Sequence, residues 1–357
     1  MLSNALIDTV ERRQHDPHAI RKTDQPLGRE DITVAKIIEA GDRTYELVEG
    51  WGQLPSGWQW GQVGGVAVDS NDNVHVFTRM EHPYMVFDKA GKMVDRWGEG
   101  IFEDAHGICI TPDDTAYFVD RFSQIVLKFN KEGRHRLTLG TRGVHSDTGY
   151  TQETRVDVGD PNLSGGGMPA HTGVGHAGPP FHHPTDVSVG PDGSIYVSDG
   201  YRNSRVHKYD ANGTLLMSWG EPGSAEELRD TTNKPNYFHT VHSVWEHKGR
   251  VYVADRESYR IQIFTPEGEY LDMWTGFERP TKLYVDPREE LMYVAELEDR
   301  VSIVDLEGNV IGRFGSERSH DPGKFWGPHG IWTDSEGSIY VAEVLEGARL
   351  RKFARRK

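Results

Sequence analysis

The chain has 357 residues, a formal net charge of −15, 36% hydrophobic residues and one cysteine. An acidic chain with no broad Lys/Arg face lacks the footprint of a nucleic-acid binder, a single cysteine forbids an intramolecular disulfide, and no stretch approaches the ~18 apolar residues of a membrane span. Forty glycines with 9 Trp and 14 Tyr favour many short strands joined by tight turns.

The first segment, "MLSNALIDTVERRQHDPHAIRK", contains no uninterrupted apolar run of the kind a signal peptide needs. The single Cys109 sits in the apolar stretch "GICI" and reads as a small buried hydrophobe. Both features lead to the expectation of a cytoplasmic protein with no membrane partner. Residues 1–44 read as an N-terminal extension. Residues 45–52, "YELVEGWG", look like a strand that closes a later repeat, as in "KMVDRWG" and "LLMSWG".

From residue 64 a repeat takes over. Its copies begin "GGVAVDSNDNVHVFTR" (64–79), "HGICITPDDTAYFVDR" (106–121), "TDVSVGPDGSIYVSDG" (185–200), "HSVWEHKGRVYVADR" (242–256), "TKLYVDPREELMYVAE" (281–296) and "HGIWTDSEGSIYVAE" (329–343). Each reads as a strand, a polar turn and a second apolar strand. A third strand follows ("RVHKYD", "RIQIFT", "RVSIVD"), then a turn and a fourth strand ending in "WG", "TG" or "FG". Four strands every ~40 residues is the pattern of a β-propeller blade. The last copy stops after its third strand, "LRKFARRK", so residues 45–52 are expected to supply the fourth and close the ring. The expected fold is an all-β, six-bladed NHL-type propeller over 45–357, interrupted at 141–183 and at 221–240. Long insertions between blades project from one face, where loops build sites. The first of these carries His145, His171, His176, His182 and His183.

When the copies are aligned, His106, His242 and His329 fall on one position at the start of the first strand. The other copies hold Gly64, Thr185 and Thr281 there, so histidine occupies alternate blades. Innermost strands face the central channel, and alternate blades are about a third of a turn apart. Three imidazoles at one depth therefore converge on the axis. That is the ligand set of a catalytic zinc site with an open fourth position, and imidazole also suits iron, nickel or copper. A second polar position follows the second strand and reads Arg79, Arg121, Tyr201, Arg256, Glu296 and Glu343. Arginine there either bridges blades through Asp120 or Asp255, or holds a carboxylate or oxyanion beside the metal. A tyrosine there can act as general base if metal and cations lower its pKa. Trp58, Trp60, Tyr150, Phe181, Phe238 and Trp326 are candidates for either a pocket lining or plain packing.

Over approximately residues 50–355 the chain resembles peptidyl-α-hydroxyglycine α-amidating lyase. "SDGYRNSR" and "ADRESYRIQ" carry the resemblance most distinctively, with "AHGICITPD", "VHSVWE" and "GPHGIWTDSEGSIYV". It implies zinc on His106, His242 and His329, a catalytic Tyr201, and active-site arginines at Arg79 and Arg256. It also implies cleavage of a carbinolamide, R–CO–NH–CH(OH)–R′, to an amide and an aldehyde such as glyoxylate. The family's structural calcium uses two backbone carbonyls matching Val66 and Ile108, and an Asp directly after the third zinc histidine. Here that residue is Gly330, so the two carbonyl positions are kept and the carboxylate is lost, which puts the calcium in doubt. A single cysteine leaves no place for the family's disulfides, and no fused copper monooxygenase domain is expected. The expectation is a metal-dependent lyase acting on a small molecule. A zinc-dependent hydrolase or other lyase on a small polar or aromatic substrate is a second reading. A non-catalytic NHL propeller that binds protein is a third.

Overall fold

Glycine-punctuated runs of Val, Ile, Tyr and Phe cannot form helices that bury one stripe; they pair into sheets whose faces must be covered. The computed structural model describes residues 36–151, 173–223 and 234–357. Residues 1–35, His171 and the middle of the second insertion lie outside the described residues. The described chain forms six antiparallel blades. Blade one comprises Val63–Val68, Val74–Thr78, Tyr84–Phe87 and Met93–Trp97. Blade two comprises Ala105–Ile110, Ala116–Asp120, Ile125–Phe129 and His135–Gly140. Blade three comprises Asp186–Val189, Ile195–Asp199, Arg205–Tyr209 and Leu215–Trp219. Blade four comprises Val241–His247, Arg250–Asp255, Arg260–Phe264 and Tyr270–Thr275. Blade five comprises Pro280–Asp286, Leu291–Glu296, Arg300–Asp305 and Val310–Gly315. Blade six comprises Pro328–Thr333, Ile339–Glu343 and Leu350–Arg356.

The missing fourth strand of blade six is Arg43–Val48, which pairs with Leu350–Arg356 through Leu47↔Phe353. The sheet also takes in Ile37–Ala40, with Ile38 opposite Tyr45, so it begins ahead of residue 45. The two-residue Gly41–Asp42 loop makes this hairpin, a turn signal that the closing-strand pattern alone does not use. Inner strands such as Val63–Val68 and Ala105–Ile110 are buried on both faces, whereas the outer Met93–Trp97 is largely exposed. The inner strands touch in sequence around the ring, the sixth against the first. No α-helix occurs among the described residues, and no helix is long and apolar enough to cross a membrane.

A row of carboxylates fixes the entry to the inner strands. Asp120, Asp199, Asp255, Glu296 and Glu343 end the second strands of blades two to six, each 0% exposed. Asp120 accepts from the Glu103 amide at 2.8 Å, Asp255 from His239 at 2.8 Å and Glu343 from Trp326 at 2.8 Å. Asp199 accepts from the His182 amide and Glu296 from that of Glu278. Buried carboxylates are tolerated only when so engaged, and each here staples the loop leading into its own blade's first strand. This corrects the repeat alignment. Glu296 and Glu343 belong to the buried acid row; the residues that follow them, Leu297 and Val344, stand level with Arg79, Arg121 and Arg256. A slip of one residue along a strand moves a side chain to the other face.

Candidate functional site

The histidine position is a bulge. In blade four, Val241 pairs with Asp255 and Ser243 with Ala254, which skips His242. In blade six, pairing passes from Pro328 to Gly330 and skips His329; in blade two it passes from Ala105 to Ile108 and skips His106. A bulged residue leaves the ladder and its side chain is re-aimed. The three imidazoles meet with ring centroids 4.7, 4.8 and 4.9 Å apart. One ligand nitrogen from each lies within 4.8 Å of the others, and the residues are 1%, 2% and 4% exposed. Among the described residues this is the one such group.

Backbone carbonyls fix the tautomers. His106 Nδ1 donates to Thr185 O at 2.6 Å, His242 Nδ1 to Thr281 O at 2.7 Å, and His329 Nδ1 to Gly64 O at 2.7 Å. A carbonyl can only accept, so each Nδ1 carries the proton and each Nε2 presents a lone pair. The three acceptors are the residues that replace histidine in the alternate blades. Burial comes first among the forces that hold all three imidazoles well below the usual histidine pKa; neighbouring imidazoles and arginines add to it. Nε2 of His329 is buried and has no partner in the protein. A buried lone pair of this kind is open to a ligand in the channel. Three neutral imidazoles, each oriented through its other nitrogen, fit a metal ion.

Tyr201 caps the cluster. Its hydroxyl lies 3.1 Å from His106 Nε2 and 3.1 Å from His242 Nε2. Arg256 Nη1 donates to the same oxygen at 3.2 Å. Burial raises the phenol's pKa, but Arg256, Arg121 and Arg79 outweigh it, and the net shift is downward. Arg256 is held by Glu257, and Glu257 by Arg279. Arg79 donates to Gln62 at 2.7 Å and Ala105 O at 3.2 Å. The residues after the second strands, Arg79, Arg121, Tyr201, Arg256, Leu297 and Val344, line one cavity with His329 beneath them. It spans about 560 Å³, part of it open to solvent, and has cationic, phenolic and apolar walls on successive blades.

A family model for the NHL repeat matches residues 181–209. The chain is 32% identical over 217 residues to a peptidyl-glycine alpha-amidating monooxygenase of Mus musculus, covering 57% of this chain and 20% of the mouse protein. It is 28% identical over 230 residues to a probable peptidyl-alpha-hydroxyglycine alpha-amidating lyase of Caenorhabditis elegans, covering 57% of this chain and 56% of that one. The chain is a six-bladed propeller that carries an NHL repeat and is similar, over part of its length, to amidating lyases. It thus matches about a fifth of the mouse relative and just over half of the nematode one. A streptogramin B lyase structure shares the fold, with TM-score 0.56 and 12% identity over 89% of this chain and 100% of that one.

Deeper in the channel, the chain holds an ion pair where the resemblance implied a calcium position. Lys282 Nζ lies 2.7 and 2.8 Å from the two carboxylate oxygens of Asp186, and Ser243 Oγ donates to Asp186 at 2.6 Å. Val66, Ile108 and Gly330 line the same small pocket as this ammonium. A Cβ at Gly330 would come within 3.1 Å of Gly65 Cα and Val66 N. The residues present do not fit a calcium ion. Sequence reasoning missed the pair, although Asp186, Ser243 and Lys282 each follow the histidine position of successive blades.

The other sequence candidates stand apart from the three-histidine group. His145 stacks on His182 at 4.6 Å, and burial, followed by His145, pushes His182 down to about 4. His176 approaches Asp147 at 3.9 Å, and His183 packs on Phe122. Phe181 and Phe238 are core residues at 1% and 0% exposure. Trp58 stacks on His82, Trp60 packs at a tilt on Phe87 and Trp326 on His320, while Tyr150 lies under Arg202. None of these six aromatics lines the cavity. Cys109 is buried, and burial pushes its thiol up to about 12, which leaves it unreactive.

Proposed function

We propose that this chain is a metal-dependent carbon–nitrogen lyase that cleaves a carbinolamide to an amide and an aldehyde. His106, His242 and His329 would hold the metal, with zinc best matched to three imidazoles and an open fourth position. The observation that carries the reading is the Tyr201 hydroxyl, set against two ligand nitrogens and held there by Arg256. Held by those three residues, zinc would supply Lewis-acid chemistry that makes a nearby hydroxyl more acidic.

The chain's own residues then move one proton. Tyr201 Oη takes the proton from the substrate hydroxyl. As the carbon–oxygen double bond forms, the C–N bonding pair leaves with nitrogen, and Tyr201 returns the proton to that nitrogen. The sum is R–CO–NH–CH(OH)–R′ → R–CO–NH₂ + R′–CHO, with no water consumed and no redox change. Arg256 stabilises the phenolate phase by donating to Oη, and Arg79 contributes positive charge beside it. The cytoplasmic location belongs to the same proposal and rests on the single, buried Cys109.

The test uses N-benzoyl-α-hydroxyglycine in oxygen-18 water. A lyase gives benzamide without label, and glyoxylate, faster than the uncatalysed breakdown. A hydrolase would instead give labelled benzoic acid. Full activity and metal content in His242→Ala would overturn the proposal.

A further inference from the structure

Three guanidiniums stand around Tyr201, and they are not equally free. Arg256 is committed: Nε and Nη2 go to Glu257, and Nη1 to Tyr201. Arg79 spends Nη1 on Gln62 and Nε on Ala105 O. The Arg121 guanidinium makes one hydrogen bond, from Nε to Asp104 at 2.5 Å, and nothing among the described residues accepts from its Nη1 or Nη2. Its Cζ lies 5.0 Å over the Tyr201 ring, and its side chain is 16% exposed on the cavity wall. Arg79 and Arg121 share a single carboxylate, Asp104, which leaves this side of the cavity with surplus positive charge. The remaining cavity arginines are matched, Arg279 by Glu257 and Glu298, and Arg318 by Glu298 and Asp299. Blades five and six present Leu297 and Val344 instead.

We infer that Arg121 is the residue that grips an anionic group of the substrate, its two terminal nitrogens forming a fork for one carboxylate. Arg256 positions Tyr201 and does not hold the acid. Planar bidentate recognition is what a guanidinium with both terminal groups open offers, and lysine does not reproduce it. The inference rests on the lyase reading for the reaction and adds to it the residue that selects the acid, Arg121, with the neutral or apolar remainder of the substrate toward Leu297 and Val344.

The test separates grip from chemistry. Binding of N-benzoylglycine, which cannot react, and of its methyl ester is measured by calorimetry on wild type, Arg121→Met and Arg121→Lys, with metal content determined for each. The acid binds wild type more tightly than the ester does. Arg121→Met weakens the acid by about 10- to 150-fold, the worth of a hydrogen-bonded charge, and leaves the ester and the metal unchanged. Arg121→Lys recovers part of the loss. Equal binding of the acid by wild type and Arg121→Met would overturn the inference, as would a wild type indifferent to acid and ester. If the acid is gripped through Arg121 but N-benzoyl-α-hydroxyglycine is never cleaved, the lyase reading falls and the anion site stands.

Discussion

The hydroxyl of Tyr201 stands 3.1 Å from Nε2 of His242, on a side chain carried by blade three between two histidine-bearing blades. This contact joins the residue proposed to move a proton to one proposed to hold the metal. Tyr201→Phe should remove the proton carrier and leave the ring. The expected result is a fall in kcat of about 10²- to 10⁴-fold, with metal content and thermal midpoint unchanged, read by steady-state kinetics beside elemental analysis.

The carbonyl acceptors behind the histidines make a second prediction. A Cβ at Gly107 would come within 2.7 Å of Thr185 O, the acceptor of His106 Nδ1. Gly107→Ala should push blades two and three apart at that point. Disturbing such an orienting partner costs about 10- to 100-fold in metal affinity, measurable by competition with a chromophoric chelator.

The channel ion pair predicts a particular stability pattern. Lys282→Met leaves the Asp186 carboxylate buried without its ammonium, which should cost about 3–5 kcal/mol in urea unfolding. Adding Asp186→Asn to it should restore most of that loss. A calcium chelator should leave the thermal midpoint of wild type where it was, because Lys282 already supplies the positive charge.

Glu257 links stability to pH. Burial raises its carboxyl pKa, but Arg256 and Arg279 more than offset this and bring it to about 2, below the ordinary value of 4.5. A depressed folded-state pKa gives stability that is complete above the unfolded value. That contribution is lost as pH falls from about 5 toward 2. Glu257→Gln should therefore flatten unfolding free energy against pH across that window and be less stable than wild type above it.

Much of this architecture is legible in the sequence because propeller repeats put equivalent residues at equivalent depth. The alternation of His106, His242 and His329 with Gly64, Thr185 and Thr281 reports the convergence of imidazoles, and "YELVEGWG" reports ring closure. The bulges are not legible, since pairing register depends on the partner strand. Nor does sequence alone separate Glu296 from Leu297 as the residue level with Arg121, because one residue changes the face. Sequence left the aromatic candidates open between pocket and packing for a related reason; Phe181 and Phe238 take the second, because in blades this tightly stacked they are more favourably buried than presented to a ligand. The Asp186–Lys282 pair is spelled out in two inner strands, but only the fold brings blades three and five to one channel.

The most direct measurement is elemental analysis of protein purified without a metal-affinity column, beside His106→Ala. The account predicts about one zinc per chain in wild type and its loss in the variant, with the folded structure retained. Wild type that carries no transition metal and takes none up on reconstitution would contradict it.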